Sequence, residues 1–179
     1  TGELDKDNFG SGLGYVATEL DDKAIAYGLV INSDGKIVLA GTDKNDFTLV
    51  QYTAAGVLDN SGFGSNTGIV TTDIGTGSID AGRACAVQTD GKIIVVGQSK
   101  DDFSLVRYTV DGLLDTTFGN NGIVTTDIDS DSTDGAYGVA IQPDGKIVVV
   151  GTSDKDFAII RYTVTGSLDT TFGTNGKTV

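Results

Sequence analysis

A run of alternating acidic residues is the part of the sequence most typical of metal chemistry. It reads Asp127-Ile-Asp129-Ser-Asp131-Ser-Thr-Asp134-Gly135. Carboxylates at alternate positions before a glycine are the pattern of calcium-binding loops, because their oxygens can converge on one hard cation. The spacing after Asp131 differs from such loops and no distal Glu follows. Asp129, Asp131 and Asp134 are therefore calcium candidates with an incomplete ligand set, and we expect no other cofactor.

The residue types that are missing limit the chemistry further. The chain has no His and one Cys, which removes histidine acid–base catalysis, the common zinc and haem sites, and an internal disulfide. Carboxylates are plentiful, as a glycosidase would need, but nothing in the sequence distinguishes an acid from a base. We therefore predict that the protein is not an enzyme.

Charge and composition exclude two classes of partner. The 179 residues include 12 Lys and Arg against 25 Asp and Glu, a net charge of −13. Such a chain repels nucleic-acid phosphates and anionic membrane surfaces. No apolar run reaches the roughly 18 residues of a membrane-spanning helix. With 26 Gly, 1 Pro and many Thr, Val and Ile, the composition favours short strands joined by tight turns.

The sequence repeats itself with a period of about 55 residues. Asp-Gly-Lys begins at Asp34, Asp90 and Asp144, and Gly-x-Leu-Asp begins at Gly2, Gly56, Gly112 and Gly166. We interpret residues 1–179 as one repeat domain. Its units are 2–55, 56–111 and 112–165, followed by a partial unit, 166–179.

Each unit is predicted to form four antiparallel strands. Asp-Gly between apolar runs marks a hairpin. The strand Ile147–Gly151 is apolar at successive positions, so both of its faces must be buried. The strand Gly122–Ile128, which should be the outer strand of its sheet, is half polar. Sheets covered on both faces, with polarity rising outward, favour an all-β fold of propeller-like blades. A β-trefoil or β-prism stays open as the alternative, since those folds also contain three units of four strands.

The repeats resemble the delta-60 repeat family, a domain of unknown function predicted to form β-propellers. The residues that carry the resemblance are Gly-x-Leu-Asp-x-x-Phe-Gly at Gly112–Gly119 and Gly166–Gly173, Gln-x-Asp-Gly-Lys-Ile at Gln88–Ile93 and Gln142–Ile147, and the pairs Arg107-Tyr108 and Arg161-Tyr162. The first unit departs from this pattern, with Gln51 in place of the Arg and one extra residue before Phe63. The resemblance implies a propeller-like fold and an extracellular or cell-surface bacterial setting. It implies no activity.

In a propeller, the loops joining alternate strands share one face, and here those loops are acidic. Their candidate ligand-face residues are Asp43, Asp46, Asp101, Asp102, Asp129, Asp131, Asp134, Asp154 and Asp156, and Asp21, Asp22 and Asp80 lie in the same loops. A solvated acidic surface would explain them equally well. The functional alternative is a face that attracts cations or a cationic partner.

The motifs that recur in every unit are predicted to be structural. Asp-Gly-Lys should form hairpin turns, and Leu-Asp-x-x-Phe-Gly should staple the loops. Arg107 and Arg161 should bind a carboxylate or a carbonyl, a role that Gln51 can fill without charge. Cys85 aligns with Leu29 and Val139 and should be a buried, unreactive residue.

Three units are too few to close a propeller, which predicts further contacts. Gly14–Leu20 should be an outer strand without its own blade. We expect a homo-oligomer, either a dimer closing a six-bladed ring or a trimer, or else contacts with further repeats of a longer chain. The predicted function is a non-catalytic binding or adhesion module that engages a protein or glycan. The alternative is a structural spacer or assembly domain in a long surface or fibre protein.

Overall fold

Nearly all the regular secondary structure of the described residues is β-strand. The structure, a computed structural model, describes residues 2–20, 23–130 and 132–179. Among these residues the one helical element is a 3-10 turn at Gly10–Gly12. The strands are β1 Ile25–Ile31, β2 Ile37–Asp43, β3 Asp46–Tyr52, β4 Ile69–Thr72, β5 Asp80–Val87, β6 Ile93–Ser99, β7 Asp102–Tyr108, β8 Ile123–Thr126, β9 Asp134–Ile141, β10 Ile147–Ser153, β11 Asp156–Tyr162 and β12 Lys177–Thr178.

The strands form three four-stranded antiparallel sheets, each in simple sequence order. We call them blade 1 (β1–β4), blade 2 (β5–β8) and blade 3 (β9–β12). The propeller-like, all-β fold predicted from strand polarity is confirmed. The partial unit 166–179 supplies β12, the outermost strand of blade 3, and pairs with β11 at two positions.

Apolar cores lie between successive blades. The first core joins Val38 and Phe47 of blade 1 to Val95 and Tyr108 of blade 2. The second core joins blades 2 and 3, with Phe103 among its fully buried members. Strand β6 is apolar at successive positions because blade 2 has a core on both sides. Strands β2 and β10 have the same pattern, although blades 1 and 3 each have a core on one side. We call the face toward the following blade the front, and the face toward the preceding blade the back.

Two details differ from the sequence prediction. The loop predicted at Thr152–Asp156 is a two-residue turn, since Ser153 pairs with Asp156 and Asp154 adopts a φ of +51° that closes the hairpin. The strand predicted at Gly14–Leu20 is wrong: these residues form no strand. A strand needs a partner along its edge, and this segment instead packs on the back of blade 1, where Thr18 hydrogen-bonds the Tyr52 hydroxyl.

The antiparallel order sorts the loops into two ends. The acidic end carries the turns after β2, β6 and β10 and the connections after β4 and β8. The opposite end carries the Asp-Gly-Lys hairpins and the Leu-Asp loops that lead to β4, β8 and β12. Within the described residues, no helix has the length and apolar character needed to cross a membrane.

Candidate functional site

The acidic end brings carboxylates from adjacent blades together. Asp46 begins β3, Asp73 directly follows β4, and Asp80 begins β5 of the next blade. One carboxylate oxygen from each of these residues lies within 4.8 Å of the other two. We call this group the first Asp triad. It spans the junction between blades 1 and 2.

The junction between blades 2 and 3 repeats the arrangement. Asp102, Asp127 and Asp134 meet with the same 4.8 Å limit and form the second Asp triad. Asp134 is fully buried, and its carboxylate accepts hydrogen bonds from the Ile128 amide at 2.7 Å and the Ser132 hydroxyl at 2.5 Å. These bonds fix the loop after β8 so that the carboxylate faces its two neighbours.

Burial and neighbouring like charges both raise the pKa of one carboxyl group in each triad. Burial raises the pKa of Asp46, and Asp73, Asp80 and Asp43 raise it further, while Lys44 acts weakly in the opposite direction. Burial also raises the pKa of Asp102, with Asp127, Asp134 and Asp101 adding to the shift. When neighbouring carboxylates hinder the ionisation of a carboxyl group, a nearby cation stabilises its charged form. Each triad can therefore bind a cationic group or a metal ion.

The predicted ligand-face residues differ in accessibility. Asp43 and Asp134 are buried, and Asp46 and Asp102 are half-buried. The exposed members are Asp101, Asp129, Asp154 and Asp156. Asp154 accepts a hydrogen bond from the Thr133 amide at 3.2 Å, which ties the turn of blade 3 to the loop before β9. Asp21, Asp22 and Asp131 lie outside the described residues.

Of the calcium candidates proposed from sequence, Asp129 and Asp134 are described by the structure, and they do not belong to one carboxylate cluster. Asp134 points toward Asp102 and Asp127, whereas Asp129 is exposed and belongs to neither triad. Asp129 contributes its main-chain carbonyl, which accepts the Ser132 hydroxyl at 2.7 Å. Among the described residues, the carboxylate oxygens grouped closely enough for a hard cation such as calcium are those of the two triads.

Sequence reasoning did not select Asp73 and Asp127. It looked for alternating acidic residues within single loops. The signal available was the spacing: all three members of the first triad recur 54 or 56 residues later in the second. Aligning carboxylates between units, rather than along one loop, would have found both.

The opposite end also contains carboxylates, but there they are paired with cations. Asp115 Oδ2 lies 2.8 Å from Arg107 Nε and 3.1 Å from Lys92 Nζ. Asp169 has the same two partners in Arg161 and Lys146, at 2.8 and 3.0 Å. The predicted role of the arginines as carboxylate-binding residues is confirmed, and these networks hold the Leu-Asp loops in place.

In blade 1, an uncharged glutamine takes the place of the arginine in this network. Gln51 Nε2 donates to Asp59 Oδ2 at 2.9 Å, and Lys36 Nζ lies 2.7 Å from the same oxygen. The role predicted for Gln51, a hydrogen bond that does not need the charge, is confirmed.

Comparison with solved structures found two of virginiamycin B lyase from Staphylococcus aureus. One is 17% identical with a TM-score of 0.47, and it covers 80% of this chain and 39% of the lyase. The other, a catalytically inactive variant with quinupristin, is 18% identical with a TM-score of 0.49, and it covers 81% of this chain and 40% of the lyase. The chain thus spans about two fifths of the length of that protein. A search of curated proteins gave no match.

A family profile matches the chain three times, once in each repeat. The matched residues are 32–61, 88–118 and 142–172. Each stretch runs from the Asp-Gly-Lys hairpin through the Leu-Asp loop, and together they make up just over half of the sequence. The chain therefore belongs to the family described as domain of unknown function (DUF5122) beta-propeller.

Proposed function

We propose that this domain is a non-catalytic binding module that engages a basic protein surface through its acidic end. The observation that carries the proposal is the pair of equivalent Asp triads at the two blade junctions. Burial raises the pKa of Asp46 and Asp102, and the neighbouring carboxylates raise it further. A Lys or Arg side chain at either triad would relieve that repulsion, and the overall charge of −13 would steer such a partner toward the domain.

Contrast between the two ends supports the choice of surface. At the opposite end, Asp59, Asp115 and Asp169 are held by Lys or Arg side chains within 3.1 Å. That arrangement stabilises loops and leaves little charge for a partner. At the acidic end, burial is the main cause of the raised pKa of Asp46, and three neighbouring carboxylates add to it against the weaker effect of Lys44. The proposal that the domain does no chemistry rests on residue types, since the sequence has no His.

The second candidate is a glycan-binding role in the same secreted or cell-surface setting. Exposed aromatic rings are what sugars stack on, and Tyr27 and Tyr137 are 53% and 55% exposed on the innermost strands. Aromatic residues make up 7% of the chain, which favours the basic protein partner. A spacer role would need neither the triads nor these tyrosines.

The test is calorimetric titration with an oligolysine peptide at low and at physiological salt. The acidic-end variant combines Asp46→Asn, Asp73→Asn, Asp102→Asn and Asp127→Asn. The matched control removes the same charge from exposed positions of the opposite end: Asp34→Asn, Asp90→Asn, Asp111→Asn and Asp144→Asn. We expect the acidic-end variant to lose at least about tenfold in affinity, or about 1.4 kcal/mol, and the control to lose much less.

Equal losses in the two variants would mean that only net charge matters, and the acidic end would not be a site. No binding by the unsubstituted protein at low salt would reject the basic-partner proposal outright. A competition experiment with calcium adds a second test. If calcium displaces the peptide and sodium at equal ionic strength does not, the peptide and calcium share the triads as their binding site.

A further inference from the structure

One large apolar side chain is exposed where its repeat equivalents are buried. Phe157 in β11 is 88% exposed, whereas Phe47 and Phe103 at the same position of blades 1 and 2 are fully buried. Each of these two is covered by the following blade. Phe103 lies directly on the backbone of blade 3, where a Cβ added to Gly151 would be 2.7 Å from Phe103 Cζ. The front of blade 3 lacks such cover.

The back of blade 1 contains a cavity of about 210 Å³ whose walls match the environment of Phe103. Its lining includes Ala26, Leu39, Gly41 and Val50. The residues at the same repeat positions in blade 3 are Ala136, Val149, Gly151 and Ile160; three of them share the core with Phe103 and the fourth is the glycine it touches. The cavity on blade 1 is therefore lined, at equivalent positions, by the kinds of residue that surround Phe103 in blade 3.

The N-terminal segment forms the outer wall of this cavity. Val16, Thr18 and Leu20 line it, at the repeat positions of Val124, Thr126 and Ile128 in and after β8. Thr18 hydrogen-bonds the Tyr52 hydroxyl, as Thr126 accepts the Tyr162 hydroxyl at 2.8 Å across the next junction. Residues 14–20 thus stand where the outer strand of a blade behind blade 1 would run.

The loop before residues 14–20 makes the same contacts with blade 1 that the corresponding loops of blades 1 and 2 make with the next blade. The Gly10 amide donates to Ala55 O at 2.9 Å, as the Gly119 amide donates to Thr165 O at 2.9 Å. Phe9 packs on Gly56 in the same way that Phe118 packs on Gly166. Residues 2–20 therefore supply the outer segment of a blade behind blade 1. The surface beside them fits the three inner strands of a blade of this same type.

We propose that the partner is a second copy of this chain, whose blade 3 docks behind blade 1 with Phe157 in the cavity. The incoming β11 then lies along residues 14–20 of the first copy. In its own chain β11 pairs with β12 at two positions, whereas β7 pairs with β8 at four. Exchange of this edge also breaks the bond from the Arg161 amide to Gly176 O and the stacking of Arg161 on Phe172, and residues 9–20 of the first copy supply the equivalent segment. Phe9 already packs against Gly56, where Phe172 of the incoming blade would otherwise lie. Residues 172–179 of the second copy therefore move aside.

Each copy carries one exposed Phe157 and one cavity, so two identical contacts use both. Each of the two contacts is heterologous, and two copies close the assembly as a ring of twice three blades. The contact would bury exposed apolar side chains on the back of blade 1 and on the front of blade 3. Those on blade 1 include Leu29 at 63% and Ile31 at 60% exposure. The acidic ends of both copies would share one side of the ring.

The solution mass from size exclusion with light scattering tests this contact. The unsubstituted chain should give twice 18.4 kDa over a dilution series. Phe157→Asp removes the inserted ring, and Ala26→Trp fills the cavity, so each variant alone should be a monomer. Both positions are exposed in the single chain, so circular dichroism should be unchanged. Leu113→Asp, at an equally apolar and 53% exposed site of blade 2, should remain a dimer.

Mixing the two monomeric variants separates this contact from a symmetric one. A mixed pair retains one intact contact, formed by Phe157 of the Ala26→Trp chain in the cavity of the Phe157→Asp chain. We expect the mixture to recover dimer at higher concentration than the unsubstituted protein needs. If Ala26→Trp does not fold, Leu29→Asp replaces it on the same face.

Three results would overturn the proposal. An unsubstituted chain at 18.4 kDa throughout the series would mean that the end faces do not bind a second copy and are suited to further repeats of a longer polypeptide. A dimer that survives both substitutions would use another surface. Absence of recovery in the mixture would exclude the head-to-tail contact.

Discussion

Arg107 Nε lies 2.8 Å from Asp115 Oδ2, with both side chains 7% exposed. The guanidinium also stacks 4.5 Å from the centre of the Phe118 ring and donates to Val164 O of blade 3 at 2.6 Å. One side chain thus fixes the Leu-Asp loop, the buried phenylalanine and the next blade. Its repeat equivalent Arg161 is 19% exposed.

Removing Arg107 should therefore be among the most destabilising single changes. Arg107→Ala removes the guanidinium from Asp115, from the Phe118 ring and from Val164 O. Because Lys92 Nζ stays 3.1 Å from the carboxylate, the cost should be about 1.5–3 kcal/mol, the value of a charged hydrogen bond. Urea unfolding followed by circular dichroism measures the loss. Arg107→Gln should recover much of it, because Gln51 fills this role in blade 1. A Gln variant as unstable as the Ala variant would show that the charge itself is essential.

Stability should pass through a maximum on the acid side of neutrality. The pKa values of Asp46 and Asp102 are raised, first by burial and then by neighbouring carboxylates. Their repulsion opposes folding above the raised pKa, so stability should increase as the pH falls from 7 toward about 4, the pKa of an Asp in the unfolded chain.

Below about pH 4 the carboxylates of the opposite end should reverse this trend. Hydrogen bonds from Lys36 and Ser61 hold the pKa of Asp59 well below its usual range. Burial acts against ionisation of Asp115, but bonds from Thr117 and Lys92 outweigh it and lower its pKa. Their stabilisation is present above the unfolded pKa and is lost as these groups take up protons. Melting temperatures measured from pH 7 to 3 should show the rise in stability and then the fall. In the variant that combines Asp46→Asn and Asp102→Asn, the rise should be smaller.

The hydrogen bond between blades 1 and 2 can be removed by one substitution. The Tyr108 hydroxyl donates to Thr72 Oγ1 at 2.7 Å, and Tyr108 is fully buried. Thr72→Val leaves that hydroxyl without its partner, at a cost of about 1–3 kcal/mol in the free energy of unfolding. Thr71→Val, on the exposed side of the same strand, should change it by less than about 0.5 kcal/mol. Equal effects would refute the role of the bond.

Gly166 should tolerate no side chain. Its φ is +90°, and a Cβ there would lie 2.8 Å from the ring of the fully buried Phe118. Gly166→Ala should reduce stability by more than about 1 kcal/mol. Gly77→Ala is the control, since Gly77 has a φ of +76° with open space around it and reports the backbone cost alone. Similar losses at the two sites would mean that the Phe118 contact adds nothing.

Cys85 should react slowly with thiol reagents in the folded protein. Burial raises the pKa of its thiol to about 11, and the residue packs against the core between blades 1 and 2. The thiolate that reacts is therefore scarce at neutral pH. Colorimetric labelling with a disulfide reagent should be slow in buffer and complete in guanidinium. Rapid labelling of the native protein would contradict the burial.

Local patterns in the sequence determined most of the strands. Apolar runs such as Ile147–Val150, bounded by Asp-Gly turns, predict β2, β6 and β10 because turn chemistry and strand polarity act over a few residues. The period of the motifs likewise predicts three similar units. Gly14–Leu20 carries the pattern of β4 and β8 but forms no strand, since pairing depends on a neighbour that the local sequence does not specify.

The candidate site and the end faces were decided by the tertiary structure. The sequence showed an excess of acidic residues in certain loops. Only the packing of one blade on the next joins Asp46 of β3 to Asp80 of β5, because the two belong to different sheets. Phe157 reads like Phe47 and Phe103 in the sequence, yet it alone is exposed. Its burial depends on a surface that follows its own blade, and no property of its own unit supplies that surface.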